Sequence, residues 1–139
     1  MSKLNINVRS FSYREAIPQD PSGNGGGFVF DCRGILNPGR TDEYKKQTGR
    51  DQGVKDFLLT KTEMPKFIEL IQSLIDITVK DYIARGFTNL EINFGCTGGQ
   101  HRSVFAADRI SDYLRENYPN DVDVKTAHTV QDAKNWQNG

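Results

Sequence analysis

The feature that constrains the fold most is a glycine-rich segment that separates a strand pattern from a helix pattern. Before it, Leu90, Ile92 and Phe94 alternate with polar residues, as in a half-buried strand. After it, apolar residues recur at helical spacing, at Val104, Ala107, Ile110 and Leu114. A strand that runs through glycines into a helix is a building unit of α/β folds. The segment therefore predicts an α/β domain.

Other stretches of the chain predict elements of the same class. Apolar alternation over residues 4–8, an apolar run at 28–30 and alternation at 122–124 predict three more strands. Helical spacing begins at Val54 and is strongest over residues 64–82. The predicted order is β-β-α-α-β-α-β, and alternating strands and helices favour at least partly parallel pairing.

The chain length limits how many such domains can form. With 139 residues, the chain is long enough for one hydrophobic core and too short for two typical ones. We therefore expect a single three-layer-like α/β domain over residues 1–139, with a mixed, partly parallel sheet. The polar residues 131–139 are expected to form a frayed tail.

Charge and composition exclude several classes of protein. Lys+Arg and Asp+Glu are 18 each, so a general polyanion binder is disfavoured and any RNA contact would be weak and local. No stretch has the roughly 18 apolar residues that a membrane span needs. Two cysteines and no signal-peptide pattern favour a cytoplasmic protein with reduced thiols. Two cysteines and two histidines offer little for a zinc site, so we expect no metal and no cofactor.

The glycine-rich segment also has the composition of an anion-binding loop. We call residues 95–103 the glycine loop; it consists of Gly95, Cys96, Thr97, Gly98, Gly99, Gln100, His101, Arg102 and Ser103. Glycines allow backbone N–H groups to converge on one point, and the start of the following helix carries partial positive charge. Arg102 could hold two oxygens at once, and the polar side chains add donors. Phosphate is the anion that this set predicts.

The same loop satisfies a second, shorter pattern. Cys96, five residues, Arg102 and then Ser103 have the spacing of cysteine-dependent phosphatases, in which the thiolate attacks phosphorus. That chemistry also needs a general acid, and no residue in the sequence identifies one. Cys96 could equally be a small buried residue at a strand end. The pattern keeps an enzyme open as an alternative, although we expect a protein without catalytic activity.

The sequence resembles the C-terminal domain of RapZ-type proteins over nearly its whole length. The resemblance is carried by GCTGGQHRSV at residues 95–104, by VFDCR at 29–33, where the family has VFDVR, and by the Asn37-Pro38 turn. Thr48-Gly49 and the following residues to Leu58 match a further family pattern. The resemblance implies a phosphofructokinase-like fold. It also implies binding of metabolites of amino-sugar and cell-envelope synthesis and, in some members, of a small RNA.

The resemblance has consequences for partners. The family places an ATP-binding P-loop domain, or in some relatives a sugar-kinase-like domain, on the same chain. No G-x-x-x-x-G-K-[ST] motif occurs here, so such a domain would come from a longer chain or act in trans. His128-Thr129 stands where RNA-binding members tend to have His-Arg, which disfavours RNA. A homo-oligomer and the absence of a membrane partner are also expected.

Residues outside the glycine loop complete the expected site. Asp31 and Arg33 end a predicted strand and Asn37 follows, so all three should lie at the edge of the sheet where the glycine loop lies. Asp31 and Arg33 could instead simply pair with each other. His128 shares a strand face with Val122 and Val124 and is either a site residue or a structural one. We expect a regulatory domain that binds a phosphorylated or nucleotide-linked amino sugar, with a small-RNA adapter as the other alternative.

Overall fold

A computed structural model of the chain describes residues 3–23 and 26–138. Its strands are β1 (Leu4–Ser12), β2 (Gly27–Asp31), β3 (Asn89–Cys96) and β4 (Val122–His128). Its helices are α1 (Gln52–Lys61), α2 (Met64–Arg85), α3 (Arg102–Asn117) and the short α4 (Thr129–Ala133). Two 3₁₀ turns, Pro38–Arg40 and Asp42–Tyr44, lie between β2 and α1. The predicted α/β class and element order are confirmed, and α4 is added at the end.

The four strands form one sheet in the order β2-β3-β1-β4. All three strand pairings are parallel, where the sequence predicted a mixed, partly parallel sheet. The connections explain this result, because β2 reaches β3 through α1 and α2, and β3 reaches β4 through α3. Both crossovers move in the same direction along the sheet. Right-handed crossovers therefore place α1, α2 and α3 on the same face, and no such helix layer covers the opposite one.

The core lies between that helical layer and one face of the sheet. Ile6, Val8, Leu90, Ile92 and Phe94 supply the sheet side of a single apolar cluster, and they alternate along β1 and β3. α2 contributes the buried residues Met64, Ile68, Ile71, Ile75 and Val79. Pro65 stands in its first turn, and Gly86 ends it with φ 74°, a conformation that glycine adopts without strain. No helix in residues 3–23 and 26–138 has the length and apolarity that crossing a membrane requires.

The opposite face of the sheet carries a buried polar network. The Glu91 side chain is 5% exposed and accepts hydrogen bonds from Arg9 and Asn7, while Asn89 donates to the same carboxylate at 3.0 Å. Asn93 lies on the same face, and its Oδ1 is buried with no hydrogen-bond partner among the described residues. These residues alternate with core residues along β1 and β3, so the face that the helices leave uncovered is polar.

The chain end is packed, where the sequence predicted a frayed tail over residues 131–139. Gln131 is fully buried in α4, and its side-chain amide exchanges hydrogen bonds with Asn138. The ring centroids of Trp136 and His128 are 5.2 Å apart in an edge-to-face arrangement. The Arg50 guanidinium carbon lies 4.1 Å from the centroid of the Trp136 ring. These contacts hold the described part of the tail against the domain; Met1, Ser2 and Gly139 of the expected domain lie outside the described residues.

Candidate functional site

The glycine loop connects β3 to α3 and lines a cleft of about 300 Å³, which we call the loop pocket. Of the predicted site residues, the pocket is lined by Asn37, Cys96, Thr97, Gly98, Gln100, His101 and Arg102. α3 begins here without a side-chain cap, so its first backbone N–H groups are not satisfied by a capping side chain. An uncapped helix start at the carboxyl end of a parallel strand is suited to an anion.

Arg102 is buried beside the pocket and is only partly satisfied by protein atoms. It is 5% exposed, and its Nη1 donates to the carbonyls of Ile35 at 2.9 Å and Arg33 at 3.2 Å. Its Nε is buried and has no hydrogen-bond partner among the described residues. A buried donor without a partner costs free energy, which an anion in the pocket could recover. Arg102 therefore combines a structural contact with an unused donor.

Gln100 and His101 were predicted as ligand donors, but the structure directs their donors to the protein backbone. Gln100 Nε2 donates to the carbonyls of Lys45 at 2.6 Å and Gln47 at 2.7 Å. His101 Nε2 lies 2.8 Å from the carbonyl of Tyr44, so this nitrogen carries the proton, and burial lowers the pKa of the ring. The two side chains thus hold residues 44–47 against the pocket, which explains why a distant loop contributes to it.

Cys96 and Ser103 interact with each other at the base of the loop. The Cys96 Sγ and Ser103 Oγ atoms are 3.0 Å apart, and both residues are buried. Cys96 lines the pocket, whereas Ser103 is not among its described lining residues. Cys32 is fully buried next to this strand end, and burial raises the pKa of its thiol.

The three glycines of the loop have different roles. A side chain at Gly95 would collide with the rings of Phe11 and Tyr13, each 2.5 Å from the built Cβ. Gly99 has φ 66° and packs against Val130. Only Gly98 is open, and it alone of the three lines the pocket. Gly95 and Gly99 therefore shape the turn of the glycine loop. Both were predicted as site residues, but they act on the pocket through the backbone rather than by lining it.

Asp31 and Arg33 form an ion pair rather than part of the pocket lining. Arg33 donates to both carboxylate oxygens of Asp31 at 2.8–3.0 Å, and the guanidinium stacks 3.9 Å above the Tyr13 ring. The hydrogen bonds from Arg33 lower the pKa of Asp31 although burial opposes the shift. The predicted strand-end pairing is thus what the side chains form, and Arg33 reaches Arg102 only through its carbonyl.

His128 is 1% exposed and lies beneath α3, away from the loop pocket. Its Nδ1 is 2.6 Å from Ser10 Oγ, and its Nε2 is 2.8 Å from Asp108 Oδ1. Arg50 also donates to the Asp108 carboxylate, at 2.8 Å and 3.1 Å. His128 faces α3 because every second residue of β4 does so, and its ring nitrogens contact Ser10 and Asp108 rather than the loop pocket.

This network predicts acid-sensitive stability. Burial raises the pKa of Asp108, but hydrogen bonds from His128 and Arg50 outweigh that effect and lower it from 3.8 to about 2. Ionised Asp108 therefore stabilises the fold fully above pH ~4, and the contribution, about 2 kcal/mol, is lost as the pH falls from ~4 towards ~2. Denaturant unfolding at several pH values should show this slope, reduced in Asp108→Asn. Asp112→Asn, at a more exposed carboxyl, is the control, and equal slopes in all three proteins would contradict the assignment.

Two cations that the sequence analysis missed also line the loop pocket. Arg14 follows β1, and Lys45 follows the second 3₁₀ turn. With Arg102, they give the described lining three cations and no carboxylate, which favours an anionic ligand. Arg14 could have been found, because β1 is parallel to β3 and the residues that follow it must lie at the same sheet edge. Lys45 has no local signal, since tertiary contacts from Gln100 place its loop.

A second cleft lies on the flank of α3. We call this cleft of about 440 Å³ the flank cleft; it is lined by four cations, Arg50, Lys55, Arg109 and Arg115, and by the carboxylates of Asp108 and Asp112. Arg50 pairs with Asp108 at 2.8 Å, and Arg115 lies 3.6 Å from Asp112. The positive excess is therefore small. Across residues 3–23 and 26–138, no group of three or more His, Cys, Asp or Glu side chains could hold a metal ion.

Sequence comparison relates this chain to longer proteins and to one domain family. The chain is 42% identical over 111 residues to a nucleotide-binding protein of Ruminiclostridium cellulolyticum, covering 80% of this chain and 36% of that protein. It is 35% identical over 116 residues to a nucleotide-binding protein of Thermosipho africanus, covering 84% of this chain and 40% of that protein. The chain thus spans well under half the length of these relatives. The family model of the RapZ C-terminal domain matches residues 4–132, and the chain belongs to that family.

Proposed function

We propose that this domain is a regulatory module that binds a phosphorylated or nucleotide-linked amino sugar in the loop pocket. The observation that carries the proposal is the buried Arg102 Nε, which has no partner among the described residues and lies beside an uncapped helix start. Arg14 adds positive charge on the rim, and so does Lys45, whose ammonium also lies 2.6 Å from the Asp42 carboxylate. The relatives named as nucleotide-binding proteins support a nucleotide-type ligand in this family, although they contain additional chain.

The arrangement of the pocket favours binding over catalysis. Phosphoryl transfer to Cys96 would require a general acid opposite the thiol, and the described lining residues include no carboxylate. His101, the only imidazole in that lining, already donates from Nε2 to the Tyr44 carbonyl. The Cys96 thiol contacts the Ser103 hydroxyl at 3.0 Å. We therefore infer that Cys96 lines the phosphate subsite without attacking phosphorus.

Calorimetry with four probes tests the proposal. A hexosamine phosphate and a nucleotide-linked N-acetylhexosamine should bind more tightly than inorganic phosphate or the free hexosamine, because each joins an anionic group to a sugar that can occupy the rest of the cleft of about 300 Å³. Arg102→Ala should weaken hexosamine-phosphate binding by about 1.5–3 kcal/mol, roughly 10- to 150-fold. Thermal melting checks that the variant remains folded, since Arg102 also contacts the Ile35 carbonyl.

A matched pair of exposed lysines provides the control. Lys45 lines the loop pocket, whereas its neighbour Lys46 is not among the described lining residues. Lys45→Ala should weaken binding several-fold, and Lys46→Ala should leave it unchanged. Equal affinity for hexosamine phosphate in wild type, Arg102→Ala and Lys45→Ala would refute the proposal. Steady hydrolysis of an aryl phosphate that is lost in Cys96→Ser would instead identify a phosphatase.

The flank cleft supports RNA binding as the second candidate function. Lys55 and Arg109 line the cleft, and among residues 3–23 and 26–138 no carboxylate lies at salt-bridge distance from either. Residues 33–66 carry eight cations against five acids. This small number of cations can neutralise only a few RNA phosphates. The dependence of RNA affinity on salt concentration should therefore be shallow. Fluorescence anisotropy with a short RNA should show weak binding that Arg109→Ala reduces. Tight binding that persists at high salt would favour the adapter over the metabolite module.

A further inference from the structure

A separate cleft lies on the polar face of the sheet, opposite the helical layer. We call this cleft of about 250 Å³ the sheet-face cleft; it is lined by residues 18–20, 26–29, 91 and 93. Its floor is formed by β2 and β3, where Val29 is paired with Asn93 in the parallel register. Its wall is the segment that follows β1, and a hydrogen bond from Asn89 to Asp20 at 3.3 Å holds that segment against the sheet.

Asn93 is the residue of this cleft that indicates a ligand. It is 3% exposed, and its Oδ1 is buried with no hydrogen-bond partner among residues 3–23 and 26–138. A buried acceptor without a donor costs free energy, whereas a β-branched apolar residue would suit a strand without that cost. A molecule that brings an N–H donor into the cleft would satisfy this oxygen.

The charge of the lining selects the class of donor. Asp20 and Glu91 contribute carboxylates, and the described lining residues include no Lys, Arg or His. Arg9 lies outside that lining and pairs with Glu91, so one positive charge on a ligand would balance the formal charge of these three side chains. A singly charged cation with N–H donors is therefore favoured. The loop pocket is the opposite case, since its described lining has three cations and no carboxylate.

The rest of the lining suits an apolar body rather than a bare metal ion. Pro18 and Val29 line the cleft and can cover a short hydrocarbon, whereas Mg²⁺ or Ca²⁺ takes about six or more oxygen ligands. We propose that the sheet-face cleft binds a small organic ammonium ion, a primary amine with a short apolar body, whose ammonium group donates to Asn93 Oδ1. The sheet-face cleft and the loop pocket share no described lining residue, so this proposal is independent of ligand binding in the loop pocket.

Heteronuclear NMR titration of the isotope-labelled protein tests the class of ligand. The probes are n-butylammonium, the neutral n-butanol, the anion butyrate and Mg²⁺. Butylammonium should shift the amide resonances of residues 27–29, 91 and 93 with a dissociation constant on the order of 1 mM, and butanol and butyrate should leave them nearly unchanged at the same concentration. Equal binding of butanol would overturn the need for a positive charge. Tighter binding of Mg²⁺ at these resonances, or butylammonium shifts confined to the loop pocket, would overturn the proposed site.

Substitution of Asn93 separates a binding role from a structural one. Asn93→Val removes the unpartnered acceptor, so the melting temperature should stay equal or rise while butylammonium binds about 10-fold more weakly. Asp20→Asn should weaken binding several-fold, and Glu15→Gln, at an exposed acid of the same segment outside the described lining, should leave it unchanged. Unchanged affinity in a folded Asn93→Val protein would overturn the proposal. Equal affinities of the wild type and Asp20→Asn would overturn it even if Asn93→Val failed to fold.

Discussion

Gly49→Ala is expected to lower the free energy of unfolding by about 3 kcal/mol, because no side chain fits between two backbones that meet at this residue. A Cβ at Gly49 would lie 2.4 Å from the His101 carbonyl oxygen and 2.7 Å from the Phe105 nitrogen. The Gly49 N–H also donates to the Gln100 carbonyl at 2.9 Å. The methyl group of Ala at position 49 must therefore displace either the backbone around residue 49 or the start of α3.

The same substitution should weaken ligand binding, because Lys45 lines the loop pocket only while residues 44–47 stay docked on Gln100 and His101. Denaturant unfolding and calorimetry with a hexosamine phosphate measure the two effects. Gly34→Ala is the control, since its Cβ would meet no atom within 4 Å. Gly98→Ala is equally open and should also keep its stability. Similar unfolding free energies for Gly49→Ala and Gly34→Ala would contradict this account of the close approach.

The longer elements of secondary structure could be predicted from sequence because each of them carries its own period. Two-residue alternation marks β1 and β3, and apolar spacing of three and four residues marks α2 and α3. The purely parallel sheet and its one-sided helical layer were not predicted. They depend on which strands become neighbours and on the handedness of the crossovers, and neither property is encoded in a local pattern.

The sequence indicated the loop that lines the pocket, but not the contacts that each of its side chains makes. Loop residues such as Thr97, Gly98 and Arg102 line the pocket as expected. The backbone acceptors of Gln100 and His101 were not predicted, because they belong to a loop more than fifty residues away in sequence. Arg33 was likewise expected in the pocket, but its guanidinium pairs with the carboxylate of Asp31, two residues earlier in the chain.

Arg9→Met is expected to destabilise the protein by about 3 kcal/mol, although Arg9 contacts neither the helical core nor the loop pocket. Its guanidinium pairs with Glu91, whose side chain is 5% exposed. Removal of Arg9 leaves a buried carboxylate whose remaining hydrogen-bond donors, among the residues that the structure describes, are the side-chain amides of Asn7 and Asn89. Two neutral donors replace a full positive charge poorly, so the penalty for burying the charge of Glu91 is no longer offset.

The double variant Arg9→Met/Glu91→Met distinguishes a buried ion pair from ordinary packing. Methionine keeps much of the volume of both side chains and removes both charges, so most of the lost stability should return. Unfolding free energies of the wild type, both single variants and the double variant form a mutant cycle with an expected coupling of about 2 kcal/mol. If the two single effects simply added, the pair would contribute only as apolar volume. Recovery in the double variant would show that Arg9 and Glu91 are tolerated on the polar face of the sheet because each neutralises the charge of the other. Neither charge would be tolerated there alone.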